Sequence, residues 1–359
     1  VTGRERLNAV MHRQPVDRLS WTILVDDITL SGLPERVPDR TMFGFARYLG
    51  CDVFQLEGWG TPHGFRSPIF EWGPGIEERR FQRDGNDVIE LRSSDGVLSA
   101  EWRGGHPVKH FVGDLQELGL YTAMWETARF TSADDAAPFE AVDAAVGDAG
   151  LITRFWGPST VPRLLEFDMG MASFYYLLHD HPAEMERLFG VIHEREMVAF
   201  QALADGPCDV VTLVENTSSA YISPDTYRRY NAPHVRDFVD AVHAAGRVAL
   251  IHMCGHVMRL LPTIRTTKLD GIHALTPPPT GDTPWEMALD IISEELVVIG
   301  VLDPSVFVMG PVEGIGPALD QLYTRRIRRS NSVLCLAADG IPVPIERFEA
   351  VARWMEAKG

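Results

Sequence analysis

The sequence of 359 residues predicts an α/β fold, a (β/α)8 TIM barrel, on three observations. Short apolar runs rich in β-branched residues occur eight times, helical patterns separate the later runs, and many runs end in a polar residue. Continuous apolar runs suit strands of a parallel sheet covered on both faces. Their alternation with helices points to a barrel.

The runs cover residues 19–25, ending in Asp26-Asp27; 52–56, ending in Glu57-Gly58-Trp59; and 151–156, before Gly157-Pro158. They continue at 210–214, ending in Glu215-Asn216; 248–251, ending in His252-Met253-Cys254; and 271–275. The last two are 296–301, before Asp303-Pro304, and 332–337, leading to Asp339-Gly340. Ser223-Pro224-Asp225 is a helix start, with Ser as N-cap and Pro in the first turn, and that helix ends near Gly246. Asp180-His181-Pro182 opens another, through Met185, Leu188, Phe189 and Ile192. Residues 65–131 break the alternation. Ser94-Asp95-Gly96 and Arg103-Gly104-Gly105 are hairpin turn signals, so this stretch reads as turns and short strands, a β-rich insertion between strands two and three. The expected organisation is therefore one barrel domain over 1–359.

Charge narrows the function. With 33 Lys+Arg against 50 Asp+Glu, the net charge of −17 opposes binding to phosphate backbones or an anionic bilayer. No apolar stretch reaches the roughly 18 residues needed to span a membrane, and the first residues read as a polar amphipathic helix. Four scattered cysteines (Cys51, Cys208, Cys254, Cys335) make no disulfide framework, so a reducing cytoplasm is expected.

The strongest local feature is His252-Met253-Cys254-Gly255 at the end of the fifth run. Along an extended chain, residues i and i+2 share a face, so an imidazole and a thiol converge where a barrel builds its active site. Both are preferred zinc ligands. Cys335 in the eighth run, and Asp339 four residues beyond it on the same face, are the candidates for a third ligand.

These residues sit within an ordered set of motifs that resembles the uroporphyrinogen decarboxylase superfamily of (β/α)8 barrels. The set comprises Thr2-Gly3-Arg4-Glu5-Arg6, Pro15-Val16-Asp17-Arg18, Gly157-Pro158, Tyr221-Ile222-Ser223-Pro224, His252-x-Cys254-Gly255, Asp303-Pro304 and Gly340-Ile341. That superfamily divides between decarboxylases and zinc methyltransferases that work with corrinoid proteins. The decarboxylase branch places basic groups where this sequence has Asp26 and Asp27, which would repel a polycarboxylate. The resemblance to the methyltransferase branch implies His252 and Cys254 as zinc ligands; for the third, anchoring on Gly340-Ile341 favours Asp339, while spacing from Cys254 suits Cys335.

The implied activity is methyl transfer between a small substrate and a corrinoid, with O-demethylation of a methoxylated aromatic favoured. The corrinoid-binding Asp-x-His-x-x-Gly pattern does not occur in the chain, so the corrinoid is expected on a separate protein. A second copy of the chain, as a homodimer, is the other expected protein partner. Trp21, Trp59, Phe65 and Trp156 are candidates to line an aromatic pocket. Glu57 and Glu215 are candidates for an acid or a hydrogen-bonding group, with Asn216 and Tyr221 near Glu215, and His273 for a partner or ligand. Two other readings compete: a metal-free lyase of the decarboxylase type, and a non-catalytic barrel that binds a corrinoid or its carrier.

Overall fold

A computed structural model describes residues 1–56, 64–338 and 340–359. Glu57, Trp59 and Asp339 lie outside the described residues. Eight parallel strands form a nearly closed barrel: β1 (Ser20–Val25), β2 (Val53–Leu56), β3 (Gly150–Trp156), β4 (Val210–Val214), β5 (Val248–His252), β6 (Gly271–Leu275), β7 (Val297–Val301) and β8 (Ser332–Ala338). Their order is β1-β8-β7-β6-β5-β4-β3-β2. At the seam between β1 and β2, the Asp52 amide donates to the Trp21 carbonyl at 2.9 Å and the Phe54 amide to Thr22 Oγ1 at 3.1 Å.

The alternation along each strand divides the core in two. Val248 and Leu250 of β5, Val297, Ile299 and Val301 of β7, and Val333 and Cys335 of β8 fill the interior. Ala249, Ile251, Val298, Leu334 and Leu336 face the helical shell. Helix α1 (Gly3–Met11) stops the bottom of the barrel, adding Leu7, Val10 and Met11 to the interior cluster. It begins with a capping box, Thr2 Oγ1 accepting from the Glu5 amide at 3.1 Å and Glu5 Oε2 from the Thr2 amide at 2.8 Å. Beside it Arg6 reaches Asp17 at 2.7 Å and Asp52 at 2.5 Å, and Asp52 also takes Arg18 at 2.9 Å and the Ser20 hydroxyl at 2.7 Å. The opening motifs thus tie the barrel floor together.

The segment between β2 and β3 contains an antiparallel sheet of Glu77–Arg83, Asn86–Ser93, Gly96–Arg103 and His106–Lys109, with its turns at the expected places. Its Glu77–Arg83 edge is exposed along its length and carries charges of both signs, which discourages pairing with another strand. One element differs from the expectation. Residues Leu115–Thr127 form a helix, α2, N-capped by Asp114, whose carboxylate accepts from the Glu117 amide at 2.9 Å. Its Leu118, Tyr121, Thr122, Met124 and Trp125 form the buried face, and Tyr121 and Trp125 pack against Trp72, Trp125 also against Phe70.

Two outer helices matter below. Helix α3 (Pro182–Asp205) buries Met185, Leu188, Phe189 and Ile192. The helix begun at Ser223, whose hydroxyl accepts from the Thr226 amide at 3.0 Å, passes through a π-helical turn at Tyr227–Asn231 before continuing as α4 (Ala232–Ala244).

Candidate functional site

The carboxyl ends of the strands surround a cavity of about 540 Å³. Apolar groups of Leu24, Phe155, Val214, Ala274, Val301, Pro304 and Ala337 form most of its wall, interrupted by Asn216, His252, Cys254, His273 and Cys335. No Lys, Arg, Asp or Glu stands among the described lining residues.

His252 closes β5 and pairs in register with His273 of β6. Their Nδ1 atoms are 2.7 Å apart, so one of these nitrogens carries a proton and the other accepts it. Burial holds His252 down to about 4, and burial, with the cost of a second positive charge beside His252, holds His273 well below the ordinary histidine value, so both rings are neutral at pH 7. The edge of Phe155 packs against both rings, at centroid distances of 5.4 and 6.4 Å. A bulge in β6 brings His273 and Ala274 into the same wall: the register slips between His273 and Leu275, and Ala274 takes φ +63°.

Cys254 follows the strand and is exposed, its Sγ facing Asn216 Oδ1 at 4.0 Å. Desolvation by the surrounding wall still pushes its thiol pKa up. Two positions of positive φ shape the turns here, Gly255 at +100° and Asn216 at +47°. Asn216 thereby faces the cavity, while Glu215 turns behind the rim. There Glu215 is fully buried, accepting hydrogen bonds from Ser159 and Asn231 and from Thr217 Oγ1 at 3.4 Å, and burial raises its carboxyl to about 7. Gly157, on the neighbouring loop, has φ +144°, and a Cβ there would meet the Val214 carbonyl oxygen at 2.5 Å.

Several expected positions fall elsewhere, Trp156 for a reason of strand parity. Trp156 points out of the barrel onto Phe130 and Phe200, each at 5.8 Å, and the cavity receives its neighbour Phe155. Trp21 lies in the core between strands and helices, and Phe65 stacks on the Arg154 guanidinium at 4.6 Å. Tyr221 does not line the cavity; its hydroxyl donates to the Asn216 carbonyl and braces that turn. Asp26 caps a short helix through the Thr29 amide at 3.0 Å and accepts from the Gly340 amide at 2.8 Å. Asp303 holds its loop through Thr280 and the Ser305 amide at 2.8 Å.

A carboxyl that the sequence did not suggest adjoins the mouth. Glu166 sits on a π-helical segment, Leu164–Asp168, after β3, beside Asn216 and Tyr221. Desolvation lifts it to about 7. A π-turn re-aims one side chain without leaving a compositional mark, so no spacing rule points to it.

The donors at this mouth suit zinc in kind: a neutral imidazole, a thiol, and a second thiol, Cys335, in the cavity wall. Burial pushes the Cys335 thiol up to about 12. With His252 Nδ1 engaged by His273, Nε2 is the ring nitrogen left for a metal. Among the described residues, no set of three ligand atoms that includes His252 and Cys254 lies mutually within 4.8 Å.

Comparison with known proteins places the chain. Methylcobamide:CoM methyltransferase MtbA of Methanosarcina acetivorans is 22% identical over 321 residues, 84% of this chain and 83% of that protein. MtbA of Methanosarcina mazei is 22% identical over 335 residues, with the same 84% and 83% coverage. A solved methyltransferase from Methanosarcina mazei shares the fold, with a TM-score of 0.60 at 15% identity over 99% of this chain and 98% of its own. The family model for uroporphyrinogen decarboxylase (URO-D) matches residues 140–357, more than half of the sequence. A (β/α)8 barrel whose motifs, matched segment and relatives agree in this way belongs to the uroporphyrinogen decarboxylase (URO-D) family.

Proposed function

We propose that this protein is a corrinoid-dependent methyltransferase, moving a methyl group between a small substrate and a corrinoid held by a separate protein, with zinc at the barrel mouth. The observation that carries this reading is the pairing of His252 and Cys254 at the wall of an apolar strand-end cavity. Relatives named methylcobamide:CoM methyltransferases support it. His252 and Cys254 would hold the zinc, with Asp339 or Cys335 as third ligand. Bound there, zinc supplies a Lewis acid that stabilises an oxygen or sulfur leaving group, or a thiolate nucleophile.

The remaining roles belong to this chain's own groups. His273 fixes the tautomer of His252: when His252 Nδ1 donates to His273, Nε2 is bare and ready to ligate. Glu166 retains a proton near neutral pH beside Asn216, and so is an acid able to protonate a leaving oxygen. Apolar walls exclude water from the reacting groups. Large apolar side chains stand exposed on segments that follow strand ends, Ile28, Phe167, Met171, Met309 and Ile341, and offer a rim on which a carrier protein docks.

A methoxylated aromatic is the favoured substrate, since Phe155 and the aliphatic wall suit a flat apolar ring. An anionic thiol acceptor, or a polycarboxylate for a lyase, would meet no Lys or Arg among the described lining residues. The test mixes the protein with a Co(I) corrinoid carrier and follows the corrinoid spectrum with methoxyaromatics, methanol, methylamines and methyl thioethers. Formation of methyl-Co(III) with a methoxyaromatic is expected. If no donor methylates cobalt, and no thiol removes methyl from a methyl-Co(III) carrier, the reading fails.

A further inference from the structure

Away from the barrel mouth, two packed helices bring together a second group of metal-binding side chains. His193 and Glu196 lie three residues apart on α3, and His234 and Asp237 three apart on α4. That spacing sets each pair on one helix face. His193, Glu196 and His234 each offer one ligand atom, and the three atoms lie within 4.8 Å of one another. Among the described residues this is the one group of three to do so.

The surroundings of these atoms leave two buried ring nitrogens unsatisfied. The two imidazoles are stacked at 3.8 Å with planes 5° apart. His193 Nε2 is engaged by Asp237 Oδ2 at 2.7 Å, while its Nδ1 is buried with no hydrogen-bond partner. His234 is 8% exposed, and its Nδ1 too is buried without a partner. Glu196 is 1% exposed, with one carboxylate oxygen taking both the amide and hydroxyl of Thr160, at 3.1 and 2.6 Å. Two buried ring nitrogens without partners beside a buried carboxyl are unfavourable for a protein that leaves them so. A metal ion would satisfy both nitrogens and the carboxylate once one ring turns out of the stack, because two parallel ring planes share no point at which both in-plane lone pairs meet.

We infer that His193, Glu196 and His234 form a second divalent-metal site, outside the barrel mouth, that links α3 to α4. Two nitrogens and one oxygen suit zinc or a neighbouring transition ion. Asp237 accepts from the far nitrogen of His193 and orients that ring, the arrangement usual behind a metal-bound histidine. The His193 and Asp237 side chains are 14% and 46% exposed, which gives the ion a way in from solvent.

The experiment strips the full chain of metal, titrates it with Zn2+ and with Co2+, and measures metal per chain, the cobalt spectrum and Tm. Cys254→Ala should still bind one equivalent, with cobalt ligand-field bands, no thiolate-to-cobalt charge transfer, and a Tm that rises on metal addition. His234→Ala and Glu196→Gln should each lose that equivalent, the second variant guarding against misfolding of the first. The inference falls if Cys254→Ala binds no metal, or if metal bound by Cys254→Ala survives in Cys254→Ala combined with Glu196→Gln. An ion lost in His234→Ala but untouched by Cys254→Ala and His252→Ala would uphold this site while overturning the zinc reading at the mouth.

Discussion

The two ends of the barrel treat buried polar groups in opposite ways. At the floor, the buried carboxylate of Asp52 is fully partnered: it receives Arg6, Arg18 and Ser20, and Arg6 also holds Asp17. At the mouth the rings of His252 and His273 share one contact, and Cys254 is exposed. Motif residues occur at both ends, so a motif in this sequence marks stability as readily as chemistry. Incomplete satisfaction is what sets the cavity-lining groups apart, because groups left short of partners are available to a ligand.

The largest expected effect tests the mouth. Cys254→Ala or His252→Ala should lower methyl transfer by about three orders of magnitude, because loss of a Lewis acid costs several kcal/mol of transition-state stabilisation. Corrinoid spectra should report this, with urea unfolding nearly unchanged for the variant at exposed Cys254. The floor should respond the other way. Asp52→Ala leaves the Arg6 and Arg18 charges without their shared carboxylate and should cost about 3 kcal/mol of stability in urea titration. Activity at a temperature where the variant stays folded should change little; a selective loss of activity would blur the contrast between the two ends.

His273→Phe removes the partner of His252 Nδ1 while keeping a ring in place. Zinc affinity should fall about 10- to 100-fold, measured by competition with a chelator.

A pH effect comes from Glu215, whose carboxyl is raised by burial from 4.5 to about 7. Between those values the folded chain keeps a proton that the unfolded chain has released. Stability is therefore greatest below about 4.5 on this group's account, and falls as pH rises through 7. Urea midpoints across pH 5 to 8 should show the decline, and Glu215→Gln should lessen it, with Glu166, also raised to about 7, contributing the remainder in the same sense. The smallest effect concerns strain: Ala274→Gly should raise stability by about 1 kcal/mol, since alanine at φ +63° crowds its own backbone.

Much of the fold was legible because the barrel strands are buried on both faces and stand out as apolar runs; 210–214 and 271–275 coincide with β4 and β6. Helix α2 was hidden by the turn signals before it, although Leu118, Tyr121 and Trp125 carry its period. The place of His252 and Cys254 on the cavity wall was legible because a strand end and a two-residue spacing suffice to aim them. Trp156 and Glu215 were not. A one-residue parity directs Trp156 outward and admits Phe155, and the left-handed turn at Asn216 sends Glu215 behind the rim.

By itself the sequence determined the barrel and the pair of residues at its mouth, because hydrophobic periodicity and strand geometry act over a few neighbours. Only the tertiary structure decided which aromatic lines the cavity, that His273 meets His252, that Glu166 joins the rim, and that His193, Glu196 and His234 come together. Each depends on a bulge, a π-turn or the packing of distant segments, and the energy of those features resides in contacts that local spacing does not encode.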